Sequence, residues 1–316
     1  VSRFIAQRFT ALIATLLAVS VIIFLFVRLL PGNILDLFFA GDNSATPAEL
    51  AKAKQELGLD GSYPEQYWRW ASGVVHGNFG RSLLSQQPVS HIMATAIPID
   101  VELVVIALLI ALSIGIPLGV ISAVRRDRPA DYISRITGLL GITIPNFWLA
   151  TLLLIFTSRI LHWVPPLTYV SLFKHPITNL EEFILPAISI SVFTLAIVMR
   201  MVRATMLEVL NLDYVRTARA KGAPVRTVLI KHALRNALIP VVTVTGFEVG
   251  SLISGAALAE IIYGLPGVGY QLLHAIFERD YPIVQASTLI IAGTFVVVSF
   301  LVDILYGVLD PRITVT

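Results

Sequence analysis

The sequence predicts an all-α integral membrane protein of six transmembrane helices, with a small helical segment outside the membrane after the first span. Three observations carry that prediction. Of 316 residues, 56% are hydrophobic and 14% are charged, and the apolar residues fall in runs long enough to cross a bilayer. The 23 lysines and arginines are shared unequally between alternate connecting segments. The most basic of these, within residues 204–237, lies between two long apolar runs.

Arg3 and Arg8 precede the first run, Phe9 to Leu30, which is about 33 Å long as a helix. Leu29-Leu30-Pro31-Gly32 offers no small-x-small cleavage site, so an uncleaved first span is expected. Residues 31 to about 100 are more polar. Thr46-Pro47-Ala48-Glu49 has the form of a capping box with proline at the first helical position, opening a helix that stops at Gly58. A second amphipathic stretch runs from Pro64 to Val75, and its Tyr67, Trp68 and Trp70 suit either the membrane interface or a partner. The remaining spans are Val101 to Val124, Ile136 to Ile160, Phe183 to Met201, Leu238 to Ala259 and Val284 to Val308. Pro117, Pro145, Pro186 and Pro240 interrupt them as kinks or span ends.

With the N-terminus inside, fifteen cations fall in cytoplasmic segments and eight in the opposite ones, which places both termini and the 204–237 loop in the cytoplasm. The formal charge of +3 is too small to support nucleic-acid binding. With no cysteine, disulfides, thiolate nucleophiles and cysteine-ligated metals are excluded. GxxxxGK[ST], HExxH and GxSxG are absent and the six histidines lack metal-ligand spacing, so neither enzymatic chemistry nor a cofactor is expected. Gly264-Leu265-Pro266-Gly267-Val268-Gly269 reads as a tight turn between spans.

The basic loop reads DYVRTARAKGAPVRTVLIKHALRNALIP from Asp213 to Pro240. Asp213 is expected to cap a short helix over Tyr214 to Lys221, Gly222 to end it in the left-handed conformation, and Ala223-Pro224 to prevent its resumption. Tyr214, Thr217, Ala218 and Lys221 share one face; Arg216 and Arg219 sit on another. A helix of about 12 Å is not stable alone, so this one needs a partner surface. After Pro224, Val225, Val228, Leu229 and Ala233 recur at helical spacing, which predicts a second helix lying along the membrane surface. Within the fifth span Glu248 should face the protein interior, either lining a solute pathway or hydrogen-bonding a neighbouring span. Gly246, Gly250 and Ser254 form a small-residue packing stripe, and Asp303 reads as structural.

The basic loop resembles the cytoplasmic loop of type I ABC-importer permeases, specifically the first permease subunit of dipeptide and oligopeptide systems. RLLPGN at Arg28 to Asn33, GLPGVG at Gly264 to Gly269, RDYPIVQ at Arg279 to Gln285 and DPRI at Asp310 to Ile313 look like the same subfamily, so the resemblance runs essentially end to end. Against the general pattern of an EAA triplet, three residues and a glycine, Gly222 aligns, and of Arg216, Thr217 and Ala218 only Ala218 matches; further on Leu234 matches, while His232 and Arg235 depart.

The resemblance implies a type I importer transmembrane domain over residues 95–310, preceded by an N-terminal span and periplasmic helical segment over 1–94. It implies a coupling helix from Asp213 to Pro224 docked on a separate ATPase subunit. It further implies a heterodimer with a sister permease, two ABC ATPase subunits, an extracytoplasmic solute-binding protein and a bacterial inner (plasma) membrane location. The competing expectation is a stand-alone secondary transporter or channel.

Overall fold

The computed structural model describes residues 2–29, 60–167 and 169–309. The helix expected after Thr46 and the DPRI segment lie outside these. Apart from one isolated bridge between Arg81 and Pro88, no β pairing occurs among the described residues. The helices are α1 (Ser2–Leu29), α2 (Tyr63–Val75), α3 (Val89–Val124), α4 (Pro129–Thr143), α5 (Asn146–Ile160), α6 (Pro176–Leu210), α7 (Asp213–Ala220), α8 (Val225–Tyr263), α9 (Val268–Glu278) and α10 (Tyr281–Leu309). Five are long and apolar enough to span a membrane, and the number is six when the bent pair α4–α5 counts as one span.

Three elements differ from the sequence expectation. The third apolar run is two helices bent by 104° at Ile144-Pro145. Proline at 145 supplies no N–H and drives Ile144 into the extended region (ψ 121°), which ends α4. α3 starts at Val89, twelve residues before its continuous apolar run. Val89, Met93, Ala96 and Ile99 form a buried stripe there, while Ser90, His91 and Thr95 dilute the hydropathy. The helix expected along the membrane surface after Pro224 instead continues into the fifth span through a π-helical turn, Val228–Leu234. Between Pro224 and Pro240 no residue type breaks a helix, so no new direction is imposed.

α6 is the centre of the bundle. α3 approaches it at Gly115 and Gly119, where a β-carbon would crowd Leu195 O and Val198 or overlap Met199 O and Val202. α4 approaches through Gly138 and Gly141, against Met199, Ala196 and Val192. Small residues four or three apart let helix backbones come close, which replaces the hydrophobic drive that lipid does not supply. Two members of the expected stripe on α8 work in this way against α10: a β-carbon on Gly246 would overlap Val302, and one on Gly250 would overlap Phe295, whereas Ser254 is exposed and donates to Gly250 O of its own helix.

α1 is fixed to α10 by an Arg8–Asp303 ion pair at 3.0 Å, giving Asp303 its structural role. α2 lies on α1. The Tyr67 and Trp70 rings pack on Phe24 at 5.5 and 5.9 Å, and the Tyr67 hydroxyl meets Ser20 at 2.8 Å. Trp68 is exposed while Tyr67 and Trp70 are half-buried, so these two serve internal packing rather than an interface.

Two apolar clusters matter for function. At the basic end, Ala123, Val198, Val202, Met206, Ala233, Ala237 and Val241 join α3, α6 and α8. At the opposite end, Ile99, Leu103, Phe183, Tyr263 and Leu265 join the same helices to the turn after α8.

Candidate coupling surface

α7 stands between the ends of α6 and α8, held by very little. Val215 is its single buried residue, 0% exposed, and it is the only large aliphatic side chain in the helix. Asp213 does not cap. It is the first helical residue, after an extended Leu212 (φ −75°, ψ 148°), and its side chain, 97% exposed, stands 3.7 Å from Arg216. The stop is as expected. Gly222 is left-handed at φ 79°, Ala223 N–H donates to Ala218 O at 3.2 Å, and Gly222 N–H donates to Arg219 O at 3.0 Å. These two bonds form a Schellman motif.

A second tether comes from Tyr214. Its hydroxyl accepts from Asn236 Nδ2 at 2.7 Å and donates to His232 O at 3.2 Å, so α7 is pinned to the π-helical turn at the start of α8. A cleft opens beside that tether, lined by Tyr214, Lys231, His232, Arg235, Asn236 and Ile239. Tyr214 therefore faces the chain's own α8 rather than lying free with Thr217 and Lys221. Thr217 caps its own turn by donating to Asp213 O at 2.9 Å, Ala218 is half-buried, and Arg216, Arg219, Lys221 and Pro224 are exposed. Among the described residues, Arg219, Lys221, Arg226, Lys231 and Arg235 make no ion pair. The result is an exposed cationic surface spread over the short, stiffly terminated α7 and the start of α8.

Behind it lies a rigid frame that sequence spacing does not reveal. Asp131 of α4, buried, accepts from Arg203 of α6 through Nε at 2.7 Å and through the second guanidinium nitrogen at 2.8 Å. Ser122 of α3 donates to the same carboxylate at 2.6 Å, and the Asp127 N–H at 3.0 Å. Three helices thus meet at one carboxylate, on the same end of the bundle as α7. A bidentate arginine–carboxylate pair resists shear better than apolar contact because its geometry is directional.

Glu248 is half-buried on α8 and faces Thr194 of α6, and its Oε2 is buried without a hydrogen bond. One turn nearer the basic end, Val244 and Ile197 line an open groove whose rim carries Arg135 and Arg200. Among the described residues, no group of three or more metal-ligating side chains occurs.

This architecture, a bundle with one short basic helix set between two spans, is that of an importer membrane subunit, and the comparisons place it. Residues 115–315 match the model of the binding-protein-dependent transport system inner membrane component family, and residues 1–104 match that of its N-terminal region. The chain belongs to this family. It is a non-catalytic membrane component, and nothing in the fold or the comparisons favours a stand-alone transporter. Similar proteins include a putative peptide transport system permease protein of Brucella suis, 40% identical over 309 residues and covering 98% of both chains. The dipeptide transport system permease protein DppB of Escherichia coli K12 is 38% identical over 336 residues, again covering 98% of each. A putative peptide permease protein of Brucella ovis is 40% identical over 318 residues, covering 99% of each.

Proposed function

We propose that this chain forms half of the translocation pathway of an ATP-driven importer for peptides or peptide-like solutes, and that α7 is the element through which ATPase subunits drive it. The observation that carries the reading is the construction of α7: one buried valine, one tyrosine tether, a Schellman stop, and an exposed cationic face whose one ion pair among the described residues is the exposed Arg216–Asp213 contact at 3.7 Å. A helix so short gains rigidity from what it docks against. The peptide class follows the similar proteins, which are named as peptide and dipeptide permeases.

In this reading the basic end is cytoplasmic, as are both termini, and the bilayer is a bacterial inner membrane. Residues 1–94 supply the first span and an extracytoplasmic helical segment, and residues 95–310 the permease domain with its coupling loop at 204–237. A sister permease completes the pathway as a heterodimer, two ATPase subunits bind below, and a solute-binding protein delivers above. Inverting a two-state population from 1:99 to 99:1 needs about 5.5 kcal/mol of differential interaction, so movement of α7 must reach the spans without loss. The Asp131–Arg203 clamp ties α6, which leads into α7, to α3 and α4. Glu248 lines the pathway and favours a cationic group on the solute. An unchanged ratio of cationic to neutral peptide uptake in Glu248→Gln would remove that assignment.

The test is capture of the ATPase subunits by the permease pair. Gly222→Pro forces φ from 79° to about −65° and removes an N–H that binds Arg219 O, so it abolishes capture while insertion proceeds. The Arg216→Ala/Arg219→Ala double variant weakens capture more at low salt than at high. If the unaltered pair captures no ATPase, the reading fails.

A further inference from the structure

At the end of the bundle opposite α7, the chain between α2 and α3 folds back on the α9–α10 junction and leaves a polar cleft between them. Asp280 lines it and is 1% exposed. Its Oδ2 accepts from the Ser82 hydroxyl at 2.5 Å and from the Leu83 N–H at 3.1 Å. Its Oδ1 is buried with no hydrogen-bond partner among the described residues. Glu278 and Gln271 from α9, and Gln87 and His91 from the other side, complete the wall.

The nearby guanidinium groups do not serve this cleft. Arg279 takes a left-handed backbone (φ 57°), and its side chain lines a different, apolar groove, with Ile22 and Phe26 of α1. Arg81 donates through Nε to Gln86 O at 3.1 Å. Neither arginine lines the cleft, and no lysine does. Two carboxyl groups and two glutamine side chains therefore line it, with His91 as the one basic side chain. A buried carboxylate oxygen without a donor is costly, and such an atom in a native protein calls for a partner.

We infer that this cleft binds a primary ammonium group, with Asp280 Oδ1 and Glu278 accepting two of its N–H bonds and an amide oxygen of Gln87 or Gln271 accepting the third. An ammonium has three donors and no acceptor, which matches a wall of oxygens better than a guanidinium does, since that ion needs a planar fork of acceptors. Two sources present such a group from this side of the membrane: the amino terminus of an arriving peptide, and a lysine of the docked solute-binding protein. Peptide permeation itself does not require the cleft, so the inference goes beyond the proposed function.

The experiment exploits the absence of cysteine from the sequence. Thr95→Cys places one thiol in this subunit on the cleft wall. In proteoliposomes holding the full importer, its rate of modification by a hydrophilic maleimide is followed with alanyl-alanine amide (cationic), its N-acetyl derivative (neutral) and N-acetyl-alanyl-alanine (anionic). A solute ammonium slows labelling severalfold for the cationic probe alone, and Glu278→Gln restores the full rate. If instead the peptide-free binding protein slows labelling, and Glu278→Gln removes that protection, the ammonium is a lysine of the binding protein. Glu278→Lys supplies an ammonium from within and abolishes protection in either case, and since Glu278 is exposed its variants leave folding intact where Asp280→Asn does not. Equal protection by neutral and cationic probes, or none by any probe or by the binding protein, overturns the site. ATP-driven uptake measured in the same vesicles keeps that failure distinct from failure of the importer reading.

Discussion

The two ends of the bundle use carboxyl groups in opposite ways. At the basic end Asp131 is locked by a bidentate arginine and two further donors drawn from neighbouring segments. At the opposite end the carboxyls of Asp100, Glu182, Glu260 and Asp280 have no cationic partner among the described residues and hold backbone instead: Val268 N–H on Asp100 at 2.9 Å, Val170 N–H on Glu182 at 3.2 Å, Tyr270 N–H on Glu260 at 2.8 Å and Leu83 N–H on Asp280. An ion pair between helices resists their sliding. A carboxylate on the amides of a loop or of a helix's first turn sets the position of a connection. The basic end is thus braced against sliding and the opposite end positions connections, and substitutions at the two ends should fail differently.

The largest effect is expected at the clamp. Asp131→Ala leaves Arg203 without its partner and the Ser122 hydroxyl and Asp127 N–H without acceptors, a loss of about 3–5 kcal/mol by analogy with broken buried pairs. Thermal unfolding of the detergent-solubilised permease pair reads it as a lower transition temperature. Asp131→Asn keeps an oxygen for Ser122 or Asp127 and falls between. Equal transition temperatures for all three would show that the ends are not mechanically different.

Alanine in place of glycine sharpens the comparison. Gly267 has an ordinary backbone (φ −77°), but a β-carbon there would overlap Asp100 and Glu260, so Gly267→Ala costs about 1–3 kcal/mol through crowding. Gly222 has open space around it and a left-handed backbone, so Gly222→Ala costs about 1–2 kcal/mol through strain alone. Asparagine separates the causes. It tolerates the left-handed region and recovers Gly222 function, whereas at Gly267 it crowds further. Hydrogen exchange at amides 268–270 and ATPase capture report the two sites, and rescue of both by asparagine would contradict the assignment.

What the sequence reveals follows from how far apart the interacting groups lie. The α7 stop was legible because its determinants, Gly222, Ala223 and Pro224, are contiguous and act through local backbone chemistry. The α8–α10 contact was legible because Gly246 and Gly250 have a helical period, although Ser254, the third member expected, is exposed. The Arg203–Asp131 clamp was not, since its partners are 72 residues apart, nor was the Ser82–Asp280 bond across 198. Val215 left a faint signal as the lone large aliphatic side chain in a polar helix. Asp213 misled because an acidic residue before a helix and one at its first position look alike until the backbone angles are known. The bent α4–α5 pair shows the same limit: Pro145 marked an interruption, but only the neighbouring helices fix its angle.

The finest test concerns the Tyr214 tether. Tyr214→Phe removes two hydrogen bonds from an exposed site, a loss of about 1 kcal/mol, too small to change overall unfolding. It is not too small for coupling. At about 1 kcal/mol the balance between docked and loosened α7 shifts about fivefold, so a fraction of ATPase closures would move the helix without moving α8. The expected result is a normal ATPase rate with more ATP hydrolysed per solute imported. Val215→Ala acts in the same direction more strongly, by deleting the buried anchor as well as its packing. Should Tyr214→Phe leave the ratio of hydrolysis to uptake unchanged while Val215→Ala raises it, force passes from α7 into α6 alone, and the contact with the π-helical turn of α8 only positions the loop.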